Sequence, residues 1–143
     1  MKALVYAGGR DVDLADVPEP VPGPDDVILH VDCAGICGTD LGAVGRGRPK
    51  LAVGMTLGHE FVGRRADTGA MAVVNPILTC GACRACKAGR PQICERREVL
   101  GVHRPGAFAP RVAVPRSNVF DVAHLSLAQA AMVEPAWESP MAG

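Results

Sequence analysis

Apolar and polar positions alternate in short runs, and turn residues interrupt them repeatedly. Residues 2–6 predict a short strand, and Val12-Asp13-Leu14-Ala15-Asp16-Val17 a second with imperfect alternation. Pro18, Pro20, Pro22 and Pro24 then impose a rigid loop. Asp26 opens Val27-Ile28-Leu29-His30-Val31-Asp32-Cys33, a strand whose Cys33 is expected in the core. Gly35 to Gly47 is glycine-rich and carries Cys37, and residues 51–63 hold Gly58-His59-Glu60 beside Phe61 and Val62. Residues 71–78 predict another strand. Residues 80–97 lack an apolar period and read as a loop. Strands are again expected over 111–115 and 118–122. Ser126-Leu127-Ala128-Gln129 is a capping-box pattern, opening an Ala-rich helix through Met132 that should stop before Pro135. Many short strands and one short helix predict a mainly β domain of barrel or sandwich type.

Composition narrows the function classes. The chain has 143 residues, 48% of them hydrophobic, enough for one ordinary domain with a real core. Fifteen Lys+Arg balance fifteen Asp+Glu, which removes the electrostatic reason to expect nucleic acid or anionic lipid. The aromatic residues are only Tyr6, Phe61, Phe108, Phe120 and Trp137, too few for base-stacking surfaces. No run approaches the roughly 18 apolar residues of a membrane span, and the N-terminus lacks a signal-peptide pattern, so a cytoplasmic location is expected. In a reducing compartment, six cysteines read as metal ligands rather than disulfides.

Cys80-x2-Cys83-x2-Cys86-x7-Cys94 carries the most specific chemistry. Four thiolates at this spacing can wrap one tetrahedral zinc ion and leave no open position. Arg84, Lys87, Arg90, Arg96 and Arg97 would offset the negative charge of such a centre. A ferredoxin-type cluster is the nearest rival, but its run ends C-x3-C-P, whereas here the last gap is seven and Glu95 follows. Outside the loop, Cys37, His59 and Glu60 remain as borderline-soft donors. A lone cysteine and a turn histidine are more often structural than ligating. His30 and His124 read as solvated, His103 as structural or exposed, and Arg46, Arg48 and Lys50 as a solvated loop.

Gly35-Ile36-Cys37-Gly38-Thr39-Asp40, Gly58-His59-Glu60, the Cys80/Cys83/Cys86/Cys94 loop and Val133-Glu134-Pro135 occur in that order. Together they resemble the N-terminal catalytic domain of zinc-dependent medium-chain dehydrogenases, most of all the sorbitol and threonine dehydrogenase branch. The likeness runs from Met1 to about Pro135. It implies a GroES-like, partly open β-barrel over residues 1–135, with a structural-zinc lobe at 80–97 and a divergent tail at 136–143. It further implies a catalytic zinc held by Cys37, His59 and a glutamate, either Glu60 or Glu134, with the fourth position open. Thr39 would start a proton relay, and Asp40 would orient His59 through its other ring nitrogen. The implied activity is hydride transfer from a zinc-bound secondary alcohol or polyol to NAD(P).

The sequence departs from the family pattern in three places. Gly42 stands where a relay histidine is usual. His59 and Cys80 are closer in sequence than usual, as if a barrel strand pair were missing, which would leave an unpaired edge. No Gly-x-Gly-x-x-Gly follows a strand, and Gly45-Arg46-Gly47-Arg48-Pro49-Lys50 lacks the third glycine, so no Rossmann domain is expected within these residues. Read this way, the chain holds up to two zinc ions and ends before the nucleotide-binding domain. It would be inactive alone unless a separate Rossmann-domain partner supplied NAD(P), and a homo-oligomer is a further expectation. The alternative is a non-catalytic zinc-binding domain, a remnant serving as an interaction module. A zinc-ribbon nucleic-acid binder would explain only the cysteine loop, and the neutral charge opposes it.

Overall fold

The structure is a computed structural model that describes residues 1–46 and 51–138. Strands β1 (Lys2–Gly8) and β2 (Asp11–Asp16) form an antiparallel hairpin. Five strands then make one curled antiparallel sheet in the order β8-β3-β4-β5-β9. These are β3 (Asp26–Gly35), β4 (Glu60–Arg65), β5 (Met71–Val74), β8 (Arg111–Pro115) and β9 (Val119–Asp121). A small ladder joins β6 (Ile77–Leu78) to β7 (Glu98–Val99) at the base of the cysteine loop, which carries the one-turn helix α2 (Arg84–Lys87). The expected mainly β, partly open barrel is what forms. Among the described residues no helix is long and apolar enough to cross a membrane.

The sheet is covered on both faces, which explains the adjacent apolar residues of β4. Phe61 packs on one side with Leu29, Ala72, Val74, Leu100, Val112 and Val114. Val62 packs on the other with Val73, Val122 and Ala130. Alternation sends neighbours to opposite faces, so two covered faces demand apolar residues at successive positions. A third cluster of Tyr6, Ala43, Leu51 and Leu57 ties the β1–β2 hairpin to the region around Cys37.

Several local expectations change. Gly38–Arg46 is a helix, α1, despite its glycines. Asp40, three residues into it, accepts a hydrogen bond at Oδ2 from the Cys37 backbone N–H (3.0 Å), half of a capping box. Burial of Ala43 offsets the weak helix propensity of the glycines. Cys33 is exposed rather than in the core. A bulge between Val31 and Cys33 breaks the alternation of β3, so Asp32 and Cys33 both face solvent. The strand expected over 71–78 is two, β5 and β6. Asn75 Oδ1 accepts from Ile77 N (2.9 Å), and Asn118 Nδ2 donates to the Asn75 and Ile77 carbonyls, holding the bend.

At the C-terminal end, α3 (Leu127–Ala131) has the expected capping box between Ser126 and Gln129. A further helix, α4 (Val133–Glu138), follows at once. Pro135 sits in its first turn, where a missing N–H costs nothing, so the proline is built into a helix rather than excluding one. Of the divergent tail, residues 139–143 lie outside the described residues, as do Arg48 and Lys50. Strands β4 and β5 are joined directly by the turn at residues 66–70 and pair in register, leaving β8 and β9 as the sheet edges.

Candidate metal centre

Cys37 lies just past the end of β3 and caps α1, while His59 and Glu60 stand at the start of β4. The β3–β4 register pairs Gly35 with Glu60, so the two segments meet at one end of the sheet. Consequently one donor atom each from Cys37, His59 and Glu60 lies within 4.8 Å of the others.

Glycines and backbone hydrogen bonds hold the His59 segment. The N–H groups of Gly106, Phe108 and Ala107 donate to the carbonyls of Thr56 (2.8 Å), Leu57 (2.9 Å) and Gly58 (2.9 Å). Leu57 N donates to Leu4 O from the other side (3.2 Å). Gly58 has φ +89°, and a Cβ there would meet the Phe108 ring at 2.5 Å. The stretch Gly101-Val102-His103-Arg104-Pro105-Gly106 therefore braces the segment that carries His59. His103 is exposed and accepts from Val99 N at Nδ1 (3.1 Å), a structural role; His30 and His124 are exposed as expected.

The site is short of hydrogen-bond partners at one atom. His59 is 7% exposed, and its Nδ1 is buried without a hydrogen-bond partner. Asp40 Oδ1 stands 3.8 Å from that nitrogen, too far for a hydrogen bond, while its Oδ2 is engaged by Cys37 N. Burial raises the Cys37 thiol pKa, and the neighbouring Glu60 carboxyl adds to this; the Thr39 backbone N–H and hydroxyl act the other way. A bound cation would reverse that balance and favour the thiolate. Sulfur, nitrogen and oxygen donors converging at one point fit zinc, and Asp40 faces the Nδ1 that has no hydrogen-bond partner. Glu134 is also buried, on α4, where it lines a small apolar cavity with Val73, Val74, Pro76, Phe120 and Val133. It is not a member of the Cys37–His59–Glu60 group.

The four cysteines of the loop form the second group. Cys94 Sγ is 3.5 Å from Cys80 Sγ and 3.9 Å from Cys83 Sγ. Four sulfurs at about 2.3 Å from one centre stand about 3.8 Å apart, so this spacing suits a tetrahedral ion. It is far too long for disulfide bonds, and all six cysteines are free. Backbone N–H groups of Cys83 and Arg96 point at the sulfurs of Cys80 (3.3 Å) and Cys94 (3.4 Å). Such N–H donors pull the Cys80 thiol down to about 6, while burial pushes Cys86 up to about 12. The predicted basic residues Arg84, Lys87, Arg90, Arg96 and Arg97 are all exposed around this lobe.

Residues 23–124 match the family model of the alcohol dehydrogenase GroES-like domain. The chain belongs to this family. L-threonine 3-dehydrogenase of Streptomyces coelicolor is 44% identical over 135 residues, covering 84% of this chain and 39% of that protein. The Xanthomonas campestris enzyme of the same name is 36% identical over 135 residues, covering 85% and 40%. Among solved structures, an Escherichia coli alcohol dehydrogenase complexed with NADH superposes with TM-score 0.86 at 30% identity, covering 94% of this chain and 42% of that one. Galactitol-1-phosphate dehydrogenase of Escherichia coli superposes with TM-score 0.85 at 29% identity, covering 94% and 42%. The chain thus spans about 40% of the length of the relatives it matches. The GroES-like barrel and the medium-chain dehydrogenase family expected from the motifs are both borne out.

Proposed function

We propose that this chain is the zinc-binding catalytic domain of an NAD(P)-dependent dehydrogenase of secondary alcohols or polyols. The domain comprises residues 1–135, with 80–97 as a structural-zinc lobe. The observation that carries the reading is the convergence of one donor atom each from Cys37, His59 and Glu60 within 4.8 Å of one another, at a buried imidazole. In this reading Cys37, His59 and Glu60 hold the catalytic zinc, and Cys80, Cys83, Cys86 and Cys94 a structural one. When bound at the first site, zinc supplies Lewis acidity toward the substrate oxygen.

The remaining roles belong to this chain's own side chains. Asp40 fixes the Cys37 backbone and faces His59 Nδ1, so that a small approach would set the imidazole tautomer. In this reading Thr39, whose hydroxyl lies beside the Cys37 sulfur, would relay the proton that leaves the substrate hydroxyl by accepting it and releasing its own hydroxyl proton to water. Gly42 provides no side chain to carry it further. Glu134 remains a candidate for a supporting role from α4. In this reading the nicotinamide would be held by a nucleotide-binding domain outside these 143 residues, whether in a longer chain or a separate partner.

Elemental analysis of the desalted protein tests the reading. About two zinc ions per chain are expected, falling by about one in His59→Ala and in Cys94→Ser separately. A His59→Ala variant with unchanged zinc content would overturn the catalytic-site assignment and leave a domain with only the cysteine lobe.

A further inference from the structure

Gly35 ends β3 opposite Glu60, the first residue of β4. Directly opposed residues of an antiparallel pair project to the same face, so a side chain at position 35 would stand beside that of Glu60. Here there is none, and the Glu60 carboxylate uses the space. A Cβ built on Gly35 would lie 2.9 Å from Glu60 Oε2 and 3.4 Å from Glu60 Cβ. The first is shorter than real Cβ contacts and the second stands at the lower limit of ordinary van der Waals separation.

Nothing in the backbone demands glycine at this point. Gly35 is absent from the positive-φ glycines, unlike Gly58 and Gly101. The three atoms its Cβ would meet first all belong to Glu60: Oε2, Cβ and, at 3.7 Å, the backbone carbonyl. Gly63, three residues further along β4 and opposite Val31, differs: there a Cβ would run into the His30 carbonyl and the Val31 Cα, both backbone. A methyl group at Gly63 must move a strand. At Gly35 the atom a methyl group would displace first is the far end of one carboxylate side chain.

We propose that Gly35 is a positioning residue: its missing side chain is the slot in which the Glu60 carboxylate lies, and this slot makes Glu60 the carboxylate that joins Cys37 and His59. The inference rests on the reading of those three residues as a metal set. It also gives a physical basis for a choice the sequence leaves open. With the slot present, Glu60 folds back across the strand pair toward Cys37. With the slot filled, its carboxylate is displaced and the site keeps only sulfur and nitrogen donors.

Cobalt(II) titration of the whole chain tests this, because cobalt reports ligand number through its visible absorption and needs no turnover. Wild type, Gly35→Ala, Gly35→Val, Glu60→Gln and Gly63→Ala are compared, each with thermal unfolding followed by circular dichroism. Gly35→Ala should weaken cobalt binding at the Cys37–His59 site about 10- to 100-fold, approaching Glu60→Gln. Gly35→Val should weaken it further. The thiolate bands of the cysteine lobe should be unchanged, and the Gly35→Ala melting temperature should stay within a few degrees of wild type, whereas Gly63→Ala should lower it clearly. If Gly35→Ala binds cobalt like wild type while Glu60→Gln is weakened, the slot positions nothing and the inference fails. If Gly35→Ala loses the fold, the glycine is a structural requirement and the inference fails as well. If Glu60→Gln itself binds like wild type, the three-residue metal set is what fails.

Discussion

The brace behind His59 makes Gly106→Ala the sharpest stability test in the molecule. Gly106 is buried, and its Cβ would stand 2.5 Å from Leu57 O and 2.7 Å from the Gly101 Cα, with Gly58 O closer still. All three atoms belong to backbone, so no side-chain rotation relieves the clash. Overpacking of this kind costs roughly 1–3 kcal/mol. Parting the segments also stretches the hydrogen bonds from Gly106, Ala107 and Phe108 to Thr56, Gly58 and Leu57 respectively, each worth about 1 kcal/mol net. With partial relaxation the expected loss is about 3–5 kcal/mol, a large share of the roughly 5–15 kcal/mol of a typical domain. Urea unfolding of zinc-loaded protein measures it as a fall in midpoint at unchanged slope. Gly69→Ala is the internal control: its φ is +74° but its Cβ would meet nothing within 4 Å, so about 1 kcal/mol of backbone strain is all it should lose. If Gly106→Ala costs no more than Gly69→Ala, the 101–108 stretch does not brace the His59 segment and the steric reasoning is wrong.

Two further outcomes follow from other parts of the molecule. Cys94 is the one buried member of its cluster, so Cys94→Ser should release the lobe's zinc and expose residues 80–97 to limited proteolysis while Cys37 and His59 still bind cobalt; resistance of the lobe to protease in the zinc-free state would contradict this. The Arg65 and Arg116 guanidiniums beside Asp67 hold its carboxyl well below the usual range. A depressed folded-state pKa gives stability that is present above the unfolded value of about 4 and lost as pH falls below it. Asp67→Asn should therefore flatten the acid limb of a melting-temperature profile below about pH 4 and leave its slope near neutrality unchanged; an unaltered acid limb would remove Asp67 from the acid response.

Much of the fold was legible because strand pattern and turn chemistry are local. The alternation of Val27 to Val31, the prolines at 18–24 and the Ser126–Gln129 capping box all act within a few residues, and each formed where the pattern placed it. The helix at Gly38–Arg46 was not legible from propensity, because its glycines disfavour helix and its support is tertiary. A local signal did exist in the acidic Asp40 three residues after Cys37, the position from which a side chain can reach back to the cap. Cys33 misled for a related reason: one bulge shifts the facing of a strand, and bulges leave little mark in composition.

The candidate site divides along the same line. By itself the sequence determined the cysteine lobe, since four thiols within fifteen residues can meet around one ion with only a short loop to fold. It also determined the donor types at Cys37, His59 and Glu60. That these three meet, and that Glu60 rather than Glu134 stands with the other two, follows from the three-dimensional fold. Cys37 follows β3 and Glu60 opens β4, and their approach depends on the β3–β4 register and on the room left by Gly35. Register is an energy summed over two strands and both covered faces of the sheet, so no single segment of sequence contains it.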